Sequence, residues 1–333
     1  MTGLPEDIVK VLVHQQYFVH GNHSAVKLCT YTKKSLKREA VCYKQRFYGI
    51  ESHRCLQMTP AVAWCTHRCQ FCWRSESWAM GNEMNNVKID DPEDIVLGLV
   101  FGQRKLLSGF GGHPKVPREK WEEALYPKHV AISLAGEPTL YPRLGELIQE
   151  FHDYGMTTFL VTNGSRPDVL ETLDPLPTQL YVTVPAPDEI TFKKTVRPFD
   201  TKNGWKRLMA TLDLLPSLNT RKVIRLTLVK GLNMHSPDKY SELFLRSGAH
   251  FLEAKGFSSV GSAHAHLGFD RMPSYEEIMS FSEQIIGGTE LKIIDSTPIG
   301  TVSLMAKEDF PWRRKLVFPK AKKELPPPYS RVK

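Results

Sequence analysis

Cys65, Cys69 and Cys72 lie in the run Ala63-Trp64-Cys65-Thr66-His67-Arg68-Cys69-Gln70-Phe71-Cys72-Trp73-Arg74, a Cys-x3-Cys-x2-Cys spacing with an aromatic residue before the third thiol. Three thiolates on one tight loop suit three irons of a [4Fe–4S] cube. The fourth iron then has no protein ligand and stays open to a small molecule. Three more cysteines, Cys29, Cys42 and Cys55, follow one another with twelve residues between each pair. Their stretch is crowded with Lys27, Lys33, Lys34, Lys37, Arg38, Lys44 and Arg46, interleaved with Tyr43, Phe47 and Tyr48. A structural zinc site asks for four ligands, often as paired Cys-x2-4-Cys knuckles. Neither triplet meets that alone, so zinc would need His53 or His67 to complete a Cys3His set. Two cubes with three ligands each would use all six cysteines and leave each cube one open iron. The second open iron could then hold a substrate as a Lewis acid.

Such loops need a frame. Strand-like apolar runs fall at 129–135, 158–162, 180–184, 223–229, 250–254 and 291–295, with amphipathic stretches near 92–107, 143–154, 203–215, 237–246 and 274–286. Alternating β and α predicts a parallel sheet with crossover helices. Six or seven such units approach a (β/α) barrel, and functional residues of a barrel gather at the carboxyl ends of its strands. The cysteine loop follows the apolar piece 58–64, and the next strand runs out into Gly136-Glu137-Pro138-Thr139. Gly136 lets backbone approach a ligand, and Glu137 offers a carboxylate to an ammonium group. The third strand ends in Thr162-Asn163-Gly164, which alone would be an ordinary polar turn. Arg225 with Thr227, and Glu253 with Lys255, recur at period two on later strands, which puts each pair on one face, inside the barrel. The expected division is an N-terminal extension over 1–56, a barrel over 57–300 and a basic C-terminal tail over 301–333, irregular and partly mobile from 311.

The chain has 333 residues, 41% of them hydrophobic and 24% charged, ordinary values for a globular protein. No apolar run approaches the ~20 residues of a membrane helix, and Glu6 and Asp7 spoil the start as a signal peptide. The expectation is a cytoplasmic protein without membrane contact, in which clustered thiols bind metal rather than form disulfides. A net charge of +8 suits a polyanionic partner such as nucleic acid.

A cysteine triplet after the first strand, Gly-Glu-Pro after the second and Thr-Asn-Gly after the third resemble, in that order, the radical S-adenosylmethionine (SAM) enzymes. Ala135 stands where that superfamily's motif has its first glycine. Three further runs, 23–29, 42–50 and 52–60, together with Phe71-Cys72-Trp73-Arg74, resemble the archaeal tRNA 4-demethylwyosine synthases over nearly the whole chain.

The resemblance implies a partial (β/α)6 barrel of TIM-like radical SAM type, with two [4Fe–4S] clusters and SAM as cofactors. Cys65, Cys69 and Cys72 would hold the cluster that cleaves SAM, and Cys29, Cys42 and Cys55 an auxiliary cluster that chelates pyruvate. Gly136, Glu137, Pro138, Thr162, Asn163 and Thr183 would bind SAM. Lys44, two residues beyond Cys42, would form a Schiff base with the keto carbon of pyruvate. The implied reaction condenses N1-methylguanosine-37 of tRNA-Phe with pyruvate to give the tricyclic 4-demethylwyosine base. The resemblance also implies an external electron donor, since no flavodoxin-like domain precedes these motifs, and a monomer is expected. Arg54, Arg74 and Lys27 are open to the pyruvate carboxylate or to phosphates. Trp64, Trp73 and Trp78 could shield a cluster or stack on a base, and Arg313, Arg314, Lys315, Lys320, Lys322 and Lys323 could contact phosphates. A radical SAM enzyme acting on another nucleotide or a peptide is the alternative, and a non-catalytic RNA-binding module the next.

Overall fold

A computed structural model describes residues 3–74 and 79–328. Ten strands form one sheet: β1 (Phe18–His20), β2 (Ser24–Val26), β3 (Cys55–Thr59), β4 (His129–Ile132), β5 (Thr157–Thr162), β6 (Gln179–Thr183), β7 (Arg221–Leu228), β8 (Phe251–Gly256), β9 (Lys292–Thr297) and β10 (Val302–Ala306). Their order is β1-β2-β3-β4-β5-β6-β7-β8-β10-β9. β3 to β8 are parallel throughout, the six strands expected of a partial (β/α)6 barrel. β1 and β2 extend one edge antiparallel, and β10 and β9 extend the other. The run near 291–295 is therefore an antiparallel edge strand, not a seventh barrel unit.

Period two along the strands sorts side chains into two layers. Leu56, Met58, Val130, Ile132, Leu160, Leu180, Val182, Ile224, Leu226 and Leu252 share a core with residues of the surrounding helices. The alternate residues Phe159, Tyr181, Val223 and Phe251 face the opposite way and pack with Tyr43, Phe47 and Tyr48. The short helix Tyr43–Tyr48 thus plugs the inner face of the sheet, and burying Phe47 fully contributes roughly 1.5–3 kcal/mol. Two of the flanking helices start where the sequence caps them. Asp91 accepts from the Glu93 amide with Pro92 at the first position, and Ser274 and Glu277 form a capping box.

Three expectations change. The first barrel strand is Cys55–Thr59, not 58–64: Pro60 has no N–H for the ladder, and Ala61 to Trp64 turn under the cysteine loop as buried packing. Cys55 thereby belongs to the sheet itself. Of the expected tail, β10 lies within the sheet, and the residues after it are irregular but docked. Phe310 and Trp312 stack at 4.8 Å and pack with Phe251. Arg313 is buried, donating to Asp309, Asp295 and the Phe47 carbonyl. Lys322 pairs with Asp153, and Lys323 with Glu93 and Glu150. The tail acts as a strap against one end of the barrel because acidic and aromatic partners remote in sequence meet it there. Lys315 and Lys320 make no ion pair among the described residues.

Candidate active site

All six cysteines are free thiols. Cys65, Cys69 and Cys72 sit on a loop anchored on several sides. The Cys65 amide donates to the Gly81 carbonyl. The Arg68 and Gln70 amides donate to the Val196 and Thr195 carbonyls, at the end of the helix Glu189–Val196 where the carbonyls lack intrahelical donors. Arg74 is buried and donates to the Ala63 and His67 carbonyls. It braces the loop from within. Burial pushes the Cys65 thiol up to about 12 and Cys69 well above its usual range, while the Arg74 charge pulls both back. Each of these two thiols is also raised by the neighbouring Cys72.

Gly136 has φ +71°, and a Cβ there would collide with the carbonyl oxygens of Ala61 and Trp64. The close approach that needs this glycine is to the floor of the cysteine loop, where the Glu137 amide donates to Trp64 O at 2.8 Å. Glu137 is 1% exposed. Its Oε1 accepts from the Thr139 amide, the Thr139 hydroxyl and the Thr162 hydroxyl, and its Oε2 accepts from the Asn163 amide. Burial raises the Glu137 pKa and these donors lower it. Oε1 is saturated, while Oε2 has one protein donor and a lone pair to spare for an ammonium group. Pro138 starts the short turn after it and is buried.

Asn163 closes the ring of contacts. Its side-chain amide donates to Thr66 Oγ1 at 2.9 Å and lies 3.8 Å from Cys65 Sγ. Ser165 donates its amide to Asn163 Oδ1 and shares a hydroxyl contact with Thr66. Thr66, Ser165 and Arg166 also border a cavity of about 560 Å³ beside the loop. Neither Thr66 nor Ser165 stands out in the sequence, because single hydroxyls in a turn are common. Thr183 lies apart from this cluster, at the end of β6 opposite Arg225. Trp64 is buried, Trp73 is half-exposed and donates to the Leu134 carbonyl, and Trp78 lies outside the described residues.

The second triplet gathers at the plug. Cys29 and Cys42 immediately precede the short helices Thr30–Leu36 and Tyr43–Tyr48, and Cys55 opens β3. Ser52 ties the three segments: its hydroxyl accepts from the Cys42 amide and donates to Gln45, and its carbonyl accepts from Thr32. Burial pushes Cys42 up to about 11 and Cys55 to about 12; both are raised further by Cys29 and lowered by Lys44. Among the described residues no set of three metal-binding groups tight enough to hold a single ion includes a cysteine. The one such set is Glu51, His53 and Glu123. His53 bonds Glu123 at 2.6 Å, and His67 sits buried against Phe192. Three neighbouring thiols without a histidine to complete them suit a cube better than a Cys3His zinc.

Lys44 lies inside this second site. It is 9% exposed, and its Nζ stands 4.6 Å from the centre of the Tyr181 ring and 5.7 Å from that of Phe159. Its Nζ makes no hydrogen bond or ion pair among the described residues. Burial lowers its pKa, helped by Arg225 and opposed by Cys42, Glu253 and Cys55. Arg225, Glu253 and Lys255 face the same interior, as their period predicts. Arg54 and Lys27 do not join them. Arg54 pairs with Glu51 and donates to Tyr126 O, while Lys27 lies over the Tyr17 ring. The tyrosines Tyr43, Tyr48 and Tyr181 are inner-site residues that an aromatic-rich stretch alone presents as ordinary core.

The chain's sequence matches the family model described as "Radical SAM superfamily" over residues 119–244 and that described as "Wyosine base formation" over residues 246–307. A protein of Pyrococcus abyssi named S-adenosyl-L-methionine-dependent tRNA 4-demethylwyosine synthase is 51% identical over 287 residues, covering 85% of this chain and 83% of its own. A Methanocaldococcus jannaschii protein of the same name is 38% identical over 310 residues, covering 92% and 97%. A solved structure of TYW1 with a lysine–pyruvate adduct bound superimposes with a TM-score of 0.82 at 38% identity, covering 92% of this chain and 97% of that one. One of archaeal TYW1 gives a TM-score of 0.75 at 36% identity, covering 92% and 98%.

Proposed function

The chain belongs to the family of S-adenosyl-L-methionine-dependent tRNA 4-demethylwyosine synthases, and we propose that its two thiol triplets divide that family's chemistry between them. It is a radical SAM enzyme of tRNA modification. The reaction is the condensation of N1-methylguanosine-37 of tRNA-Phe with pyruvate to form 4-demethylwyosine. The observation that carries the division is the pair of half-buried triplets, each without a fourth cysteine, with a buried lysine over the Tyr181 ring beside only the second.

Cys65, Cys69 and Cys72 would hold one [4Fe–4S] cluster and Cys29, Cys42 and Cys55 the other; when bound, the first would supply the electron that cleaves SAM and the second an open iron as a Lewis acid beside Lys44. Gly136 and Pro138 set the backbone under SAM. Glu137 Oε2 accepts from the SAM ammonium, and Thr162 and Asn163 keep that carboxylate turned toward it. Thr183 contributes to the far wall of the SAM site.

Lys44 binds pyruvate covalently. Its amine lone pair forms a bond to the keto carbon, and the keto oxygen leaves as water with two protons, giving an imine. The relative with a lysine–pyruvate adduct supports this reading. The aromatic plug of Tyr43, Phe47, Tyr48 and Tyr181 excludes water and so protects the imine from hydrolysis. The chain works as a monomer in the cytoplasm with an external electron donor. Among the described residues no helix is long and apolar enough to cross a membrane.

Anaerobic reconstitution tests the division. The wild type is expected to hold about eight irons per chain, and Cys29→Ala or Cys65→Ala about four. Tricyclic product should form from methylguanosine-containing tRNA only when SAM, reductant and pyruvate are all present, as read by nucleoside mass. Borohydride should fix labelled pyruvate on wild type but not on Lys44→Arg. An unchanged iron count in Cys29→Ala, or full activity of Lys44→Arg, overturns the assignment of that site.

A further inference from the structure

Two cations share one aromatic ring inside the barrel. Lys44 Nζ stands 4.6 Å from the centre of the Tyr181 ring, and the Arg225 guanidinium carbon stands 4.5 Å from it. Neither the burial nor the proximity of two positive groups is favourable without an anion. The available carboxylate, Glu253, is fully buried and already committed. Its Oε1 accepts from Tyr48 at 2.6 Å, and its Oε2 accepts from Tyr43 and from Arg225 Nε, both at 3.1 Å. That arrangement holds Arg225 by its inner nitrogen. The outer edge of the guanidinium is left unspent: Nη2 is buried and has no hydrogen-bond partner. Arg225 itself is 15% exposed and belongs to a rigid strand, with Glu253 directly beside it on the next one. A fork of N–H donors in a dry site, fixed from behind, is suited to a planar carboxylate.

We infer that Arg225 is the residue that binds the carboxylate of the 2-oxo acid held at Lys44, and that Glu253 with Tyr43 and Tyr48 is the clamp that aims it. This rests on the reading of Lys44 as the amine that takes the keto carbon. A 2-oxo acid has its carboxylate on the carbon next to that keto carbon, so one small molecule can span the two cations that flank Tyr181. The pairing gives the site a reason to select acids over neutral ketones. An uncharged carbonyl compound would enter the same pocket and leave Arg225 Nη2 buried without an acceptor, which disfavours it. Lys255 faces the same interior but donates to the Gly300 carbonyl at 2.8 Å, so it is engaged elsewhere.

The test is a discrimination ratio rather than a rate. Reconstituted enzyme is incubated with labelled pyruvate or labelled pyruvamide, its neutral isostere, and the adduct is fixed with cyanoborohydride and mapped by mass. Wild type is expected to take pyruvate at least tenfold better than pyruvamide. In Arg225→Met the preference should collapse toward one, chiefly through lost pyruvate labelling. Arg225→Lys, which keeps the charge and loses the fork, should fall between. A merely structural role would reduce both labels together and leave the ratio unchanged. Equal labelling of wild type by both compounds overturns the proposal without any variant, as does a wild-type ratio retained in Arg225→Met. Adduct found on a lysine other than Lys44 instead overturns the reading of Lys44, and is distinguishable because the mapped peptide changes.

Discussion

The side-chain amide of Asn163 lies 3.8 Å from the sulfur of Cys65, while the Asn163 backbone amide is held by Glu137 at 2.8 Å. The strand that ends in Thr-Asn-Gly is thereby wired to the cysteine loop. A donor aimed at a ligating sulfur drains charge from it and makes the cluster easier to reduce. Asn163→Leu should lower the reduction potential of the cluster at Cys65, Cys69 and Cys72 by ~20–40 mV, the one-electron equivalent of a weak hydrogen bond. Iron content should not change. An EPR-monitored redox titration reads this, and an unmoved midpoint refutes the contact's electronic role.

Gly136→Ala should uncouple the two sites. The substitution meets both a left-handed backbone, φ +71°, and the carbonyls of Ala61 and Trp64, so the loop floor must shift. The expected result is loss of about half the bound iron, with borohydride trapping of pyruvate on Lys44 retained. Full iron content would show that the loop tolerates the displacement.

The chemistry of this chain was legible where it is local in sequence. Cysteine spacing, Gly-Glu-Pro and Thr-Asn-Gly are short runs, and the start of the helix 92–107 is marked by its own cap and proline. β1, β2 and β10 are short or antiparallel edge strands whose pairing depends on distant partners, and they give no periodic signal. The same holds for side-chain roles. Glu137 reads as a free carboxylate until Thr139, Thr162 and Asn163 close on it. Arg74 reads as a ligand for an anion until the loop folds over it. The basic run 313–323 reads as a solvated tail because Asp295, Asp153, Glu150 and Glu93 are too remote to be associated with it by spacing.

Arg313 gives that last point a measurable form. It is 2% exposed and pairs with Asp309 and Asp295, the latter also held by Arg46 and Arg314. Arg313→Met should destabilise the chain by about 2–3 kcal/mol, because a buried partner loses one of its cations while keeping two. The salt dependence of tRNA binding should stay the same, since a buried guanidinium neutralises no phosphate. Urea melts and binding isotherms at two salt concentrations test both halves. A shallower salt slope would place Arg313 on the RNA instead.

His129 predicts how the fold responds to acid. It begins β4, is 1% exposed, and shares one hydrogen bond with Thr157 at 2.7 Å, while its Nε2 has no partner. Burial lowers its pKa from 6.5 to about 4, with Glu51 opposing and Lys128, Arg54 and His53 assisting. Above pH 6.5 the imidazole is neutral in both folded and unfolded chains and contributes no pH dependence. Between pH 6.5 and 4 the unfolded chain binds a proton that the fold excludes, so stability falls as pH falls. The full loss is on the order of 3 kcal/mol. His129→Gln removes this titration, so the gap in unfolding free energy between variant and wild type should shift in the variant's favour as pH drops from 7 to 5. Urea melts at the two pH values measure it, and a gap that stays constant would mean that His129 accepts its proton without leaving the fold.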